Sequence, residues 1–104
     1  MYSRDGSPAY IEVEEVLRQL EGGAQALLFA SGHAAATAVL QALEAGERVV
    51  APRAMYWGLR KWLVDRAEHG YIQLAFYDNV DLADLERQLT AAPTRLLWVE
   101  TPAN

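Results

Sequence analysis

The feature that most constrains this chain is a change of hydrophobic period that repeats along its length. Short runs rich in apolar residues, the first of them unbroken, alternate with stretches whose apolar residues recur at helical spacing. The runs are Ala26-Leu27-Leu28-Phe29-Ala30, Arg48 to Ala51, Ile72 to Tyr77 and Leu96 to Val99, each bounded by turn residues and read as a strand. Ser7-Pro8 supplies an N-cap and a first-position proline, after which Val13, Val16, Leu17 and Leu20 fall on one face of an amphipathic helix that Gly22-Gly23 closes. A second helix, Ala-rich, is expected from His33 to Leu43 with Gly46 as its stop, and a third from Met55 to Glu68 with Leu59, Trp62 and Leu63 inward and Gly70 beyond. Asp81 caps a fourth, with Leu82, Leu85 and Leu89 on one face and Pro93 past its end. One helix followed by strands separated by helices is the mark of βαβ units, so the fold class is α/β with a mostly parallel sheet and right-handed crossovers. Such a sheet needs helices on both faces and covered edges, and the elements here are too few, so the chain reads as part of something larger.

Composition removes several function classes. The 104 residues hold 14 Asp+Glu against 9 Lys+Arg, a formal charge of −5, and no basic run, which argues against nucleic acid or an anionic membrane as partner. Without cysteine there is no disulfide framework, thiolate zinc site or cysteine nucleophile. Met1 leads directly into Tyr2-Ser3-Arg4-Asp5 without an export signal, so the cytoplasm is the expected compartment. Gly22 to Leu43 carries no charge and has the length of a membrane span, but Gly, Ser, His, Thr and Gln interrupt it. It reads as a buried strand turning into a buried helix.

In open α/β sheets ligands bind outside the carboxyl ends of the strands. The residues that follow the runs are Ser31-Gly32-His33, Arg53 to Tyr56, Asp78-Asn79 and Glu100 to Asn104. The first group also opens a helix, where free amides and the positive end of the dipole suit an anion such as phosphate, although Ser followed by Gly is commonly plain helix punctuation. A dinucleotide fingerprint is absent, because Gly22-Gly23 precede the run and no G-x-G-x-x-G exists. His33 and His69 have no partner at metal-ligand spacing, and His69 reads as an exposed residue at a helix C-terminus. The Tyr56 ring has two readings, stacking on a planar cofactor or filling a gap between helix and sheet. Glu14-Glu15 and Asp81-Asp84 read as solvating and capping acids rather than acid/base pairs.

Taken in order, Tyr2-Ser3-Arg4, Leu20-Glu21-Gly22-Gly23, Phe29-Ala30-Ser31-Gly32-His33, Val49-Val50-Ala51-Pro52, Tyr56-Trp57-Gly58 and Glu100-Thr101-Pro102-Ala103-Asn104 resemble the Cys/Met-metabolism (trans-sulfuration) family of pyridoxal-phosphate enzymes. The family includes cystathionine γ-synthase, the cystathionine γ- and β-lyases, methionine γ-lyase and the homoserine sulfhydrylases. The resemblance implies that residues 1–104 are the N-terminal, incomplete portion of a fold-type-I cofactor domain from a homo-oligomer, a dimer of dimers, acting on a small amino-acid substrate. It implies that Tyr2 and Arg4 reach the cofactor phosphate of a neighbouring subunit, that Ser31, Gly32 and His33 cradle the phosphate, that Tyr56 stacks on the pyridine and assists proton transfer, and that Asn104 lies near the cofactor hydroxyl. His33 stands where the family has Met, and Ser7-Pro8-Ala9 where it has Asn-Pro-Thr. The family's Schiff-base lysine has no counterpart here: the one lysine, Lys61, falls in a helix away from the Leu59/Trp62/Leu63 face. The implied reaction is β- or γ-elimination or replacement on cystathionine or an activated homoserine, with the isolated chain inactive. The alternative is a non-catalytic remnant or assembly module that keeps the family's dimer surface.

Overall fold

The computed structural model describes residues 8–103, which fall into two compact units, residues 8–35 and 36–103. In the first unit, α1 (Pro8–Glu21) ends as its glycines require. Gly22 sits at φ +67°, a left-handed conformation that costs a side-chain-bearing residue but not glycine. The Gly22 amide then donates to the Gln19 carbonyl at 3.3 Å and the Gly23 amide to the Arg18 carbonyl at 3.0 Å, which satisfies carbonyls the helix leaves over. None of the residues of α1 is buried, so its apolar stripe of Val13, Val16, Leu17 and Leu20 lies open.

The strand expected at Ala26 to Ala30 does not form. A strand exists through its ladder to a neighbour, and here the Leu28 amide donates instead to the Glu14 carboxylate at 2.7 Å. Leu27, Leu28 and Phe29 are exposed rather than sandwiched, so the expected buried strand before the second helix is corrected to an irregular segment. The uncharged stretch becomes this segment plus α2 (Gly32–Gln41), and no helix among the described residues is long and apolar enough to cross a membrane.

The second unit holds the sheet. β1 (Arg48–Pro52), α3 (Trp57–Glu68), β2 (Gln73–Tyr77), α4 (Leu82–Ala91) and β3 (Leu96–Leu97) follow the expected alternation. The strands run parallel in the order β2-β1-β3, so β1 is central, and every one of its residues is buried. Val49 aligns with Leu74 and Leu96, which puts the three on one face. That face packs with Ala36 and Leu40 of α2 and with Leu59 and Leu63 of α3, and each large aliphatic buried there contributes about 1.5–3 kcal/mol. Arg48 alternates to the other face and reaches the end of α4. Gly70, at φ +77°, ends α3 as predicted, with the Gly70 amide on the Ala67 carbonyl at 3.1 Å and the Tyr71 amide on the Arg66 carbonyl at 3.0 Å. Leu85 and Leu89 are half-buried, but Leu82 is exposed.

Candidate functional site

Because the sheet is parallel, the loops after β1, β2 and β3 emerge at the same edge, and β1, flanked by both partners, delivers its loop between theirs. That loop, Arg53 to Tyr56, is held from two sides. Asn79, just past β2, accepts the Ala54 amide on Oδ1 at 2.9 Å and donates from Nδ2 to the Ala54 carbonyl at 2.8 Å. Glu100, past β3, accepts the Tyr56 amide on Oε2 at 2.6 Å. Met55, between the two anchored residues, is buried. Tyr56 precedes α3 at φ −51° and ψ 122° and makes no side-chain cap, so the Glu100 carboxylate stands at the helix N-terminus in place of a capping residue.

The anchors are themselves anchored. Asn79 lies in a turn in which the Asp78 amide donates to Asp84 Oδ2 at 2.7 Å and the Val80 amide to Asp78 Oδ1 at 3.0 Å. Asp81 caps α4 by accepting the Ala83 and Asp84 amides, as its sequence position predicts. The hydrogen bond from the Asp78 amide, followed by those from Gln88 and Arg87, holds the Asp84 carboxyl below its ordinary value. On the other side, the Trp98 amide donates to the Val50 carbonyl at 2.8 Å, which fixes the backbone leading to Glu100.

The Tyr56 ring lies against Gly58, where a Cβ would come within 2.8 Å of Oη and 2.9 Å of Cε2 and Cζ. A side chain at residue 58 and this ring position are therefore incompatible. Tyr56 itself is exposed, with 57% of its surface open, so its ring is not the gap-filler that one reading of the sequence allowed.

Ser31 and Gly32 form the start of α2 as expected. Ser31 Oγ accepts the Ala34 amide at 3.0 Å and keeps its own proton to donate, while the Ser31 carbonyl takes the Ala35 amide at 3.1 Å. A Cβ at Gly32 would meet nothing within 4 Å, and His33 is half-buried at the next position. A hydroxyl donor and the positive end of a helix dipole fit a phosphate group. Tyr2, Arg4 and Asn104 lie outside the described residues.

Glu15 receives Arg18 through two nitrogens at 2.7 and 2.9 Å, which lowers its carboxyl to about 2. His69 caps α3 with an exposed ring, as predicted. Lys61 is exposed on α3, its Nζ 5.1 Å from the centre of the Trp57 ring. Among the described residues no cluster of His, Cys, Asp or Glu could hold a metal ion.

Asn79 and Glu100 were legible only as positions after strands. Gly58 was legible only as part of an aromatic-glycine triplet. What each one touches depends on the sheet order, which no local pattern encodes.

Comparison with known proteins gives one consistent answer. The family described as Cys/Met metabolism PLP-dependent enzyme matches residues 1–104. A cystathionine gamma-lyase of Dictyostelium discoideum is 36% identical over 99% of this chain and 26% of its own length. A cystathionine beta-lyase of Lactococcus lactis subsp. cremoris is 39% identical over 99% of this chain and 27% of its own. The crystal structure of cystathionine gamma synthase from Xanthomonas oryzae pv. oryzae in complex with cystathionine superposes with a TM-score of 0.90 at 34% identity, covering 99% of this chain and 27% of that one. The chain thus spans about a quarter of the length of these relatives.

Proposed function

Because the chain belongs to the Cys/Met-metabolism family of pyridoxal-phosphate-dependent enzymes, we propose that it forms the phosphate-binding and ring-stacking part of a cofactor site for sulfur amino-acid chemistry. The observation that carries this reading is the Tyr56 loop, an exposed aromatic ring held by backbone anchors at the carboxyl edge of the central strand. Bound pyridoxal phosphate supplies an electron sink for charge developing next to the substrate's amino group.

The chain's own residues bind and orient. Ser31 Oγ, the Gly32 amide and the main chain at His33 take the phosphate, where the substitution of His for the family's Met leaves a backbone contact intact. Tyr56, whose residue is exposed, would stack its ring on the pyridine, and its phenol would hold or pass a proton. Tyr2 and Arg4 would serve the phosphate of a neighbouring subunit in a homo-oligomer, as the family resemblance implies, Arg4 having the bidentate guanidinium for it, and Asn104 would serve the cofactor hydroxyl. The substrate class is cystathionine or an activated homoserine, the reaction β- or γ-elimination or replacement, and the compartment the cytoplasm. The relatives named for cystathionine lyases and a cystathionine synthase support the substrate class.

The 104-residue chain alone is expected to be inactive, since Lys61 is its one lysine and stands on the exposed side of α3. Mixing the chain with pyridoxal phosphate, reducing with borohydride and mapping the product by mass spectrometry tests this. No stoichiometric label at Lys61 is the expected result. Specific labelling of Lys61, abolished by Lys61→Arg, would overturn it.

A further inference from the structure

The position of an aromatic ring is set by its backbone as much as by its own torsions, and the backbone around Tyr56 is pinned with unusual completeness. Ala54 has both its amide and its carbonyl taken by one side chain, Asn79. Tyr56 has its amide taken by another, Glu100. The two side chains come from opposite neighbours of β1 in the sheet, and the buried Met55 sits between the residues they hold. Gly58 then leaves the space in which the ring lies.

We infer that Asn79 and Glu100 are positioning residues that clamp the β1–α3 loop from both sides and so set the pose in which Tyr56 meets the cofactor ring. The inference rests on the reading of Tyr56 as the stacking residue. A plain helix cap would need only Glu100, and a plain loop tether would need only one partner. The use of two strands' loops on alternate residues of a third fixes both the direction and the rotation of the segment. Glu100 serves through its acceptor oxygen, so an amide in its place preserves the clamp while a methyl group does not.

The test titrates pyridoxal phosphate into the apoprotein of the full natural chain, reading affinity together with the induced circular dichroism of the bound cofactor. Glu100→Ala is expected to weaken binding about tenfold, the scale of one lost charge-assisted hydrogen bond, and to reduce the dichroic band. Glu100→Gln, which keeps the acceptor oxygen without the charge, loses less than Glu100→Ala in both, and Asn79→Ala follows Glu100→Ala. In a Tyr56→Ala background, Glu100→Ala should add less than about twofold, because the ring it positions is gone. Additive losses, or no loss from Glu100→Ala and Asn79→Ala while Tyr56→Ala weakens binding, overturn the clamp alone. Tyr56→Ala without effect overturns the stacking reading and the clamp with it. If Glu100→Ala does not fold, Glu100→Asp, which withdraws the carboxylate by one methylene, and Asn79→Ala decide the same question.

Discussion

Arg48 shows how one side chain joins distant parts of the sheet. It is only 9% exposed, yet its Nη1 donates to the Gln88 carbonyl and Thr94 Oγ1 at 2.6 Å each, and more weakly to the Ala92 carbonyl at 3.4 Å. These acceptors belong to the end of α4 and the turn after it, where carbonyls lack helical partners and the dipole favours a cation. Arg48→Leu would take the guanidinium from the Gln88 carbonyl at the half-buried end of α4, while the Ala92 carbonyl keeps the Thr94 hydroxyl at 3.1 Å, and a loss of about 1–3 kcal/mol is expected from the shift in urea midpoint. A shift equivalent to less than about 0.5 kcal/mol, the range of ordinary surface changes, would show the guanidinium to be incidental. In the sequence Arg48 is merely the first residue of a strand, because its partners lie 40 and 46 positions away. Ser31, Gly32 and Asp81 were legible for the opposite reason: a cap acts within three residues, so the chain carries the whole signal.

Elements were legible where their signals are local or their partners present. The glycine stops of α1 and α3 and the cap of α4 match because each depends on a few adjacent residues. The run at Ala26 to Ala30 has the composition of a buried strand but makes no ladder, and composition cannot report the absence of a neighbour. β3 is shorter than its apolar run, since only Leu96 and Leu97 find register with β1, and past them the Trp98 amide still reaches the Val50 carbonyl. β2 carries the clearest pH signature. Tyr77 is 6% exposed, donates from its hydroxyl to the Trp98 carbonyl at 3.2 Å, and burial pushes its phenol upward. A native value raised above the unfolded one gives stability that is complete below about pH 10 and is lost as pH climbs through the native value. Tyr77→Phe should cost about 1 kcal/mol at neutral pH and flatten part of the alkaline loss in melts across that range. Parallel pH profiles for parent and variant would contradict this.

At the scale of the whole molecule, fold class and family were legible because ordered motifs extend across the chain, whereas the anchoring of the Tyr56 loop arises from long-range pairing. The surface also bears on behaviour. Ile11, Val13, Val16, Leu17 and Leu20 of α1 and Leu27, Leu28 and Phe29 after it are all exposed, well beyond the scattered apolar residues of an ordinary surface. The isolated chain is therefore expected to self-associate, with a sedimentation coefficient that rises with concentration, and a single monomeric species over a hundredfold range, about micromolar to 100 micromolar, would contradict it. The clamp on the Tyr56 loop has a consequence in time as well as in space. Ala54 waits 25 residues for Asn79, and Tyr56 waits 44 for Glu100. At roughly 5–20 residues per second on the ribosome, the second interval is about 2–9 s. Until Asn79 emerges the loop has neither anchor, and from there to Glu100 it has only one, so a slow-translating stretch between the two would lengthen the period in which the ring is carried on a half-held loop.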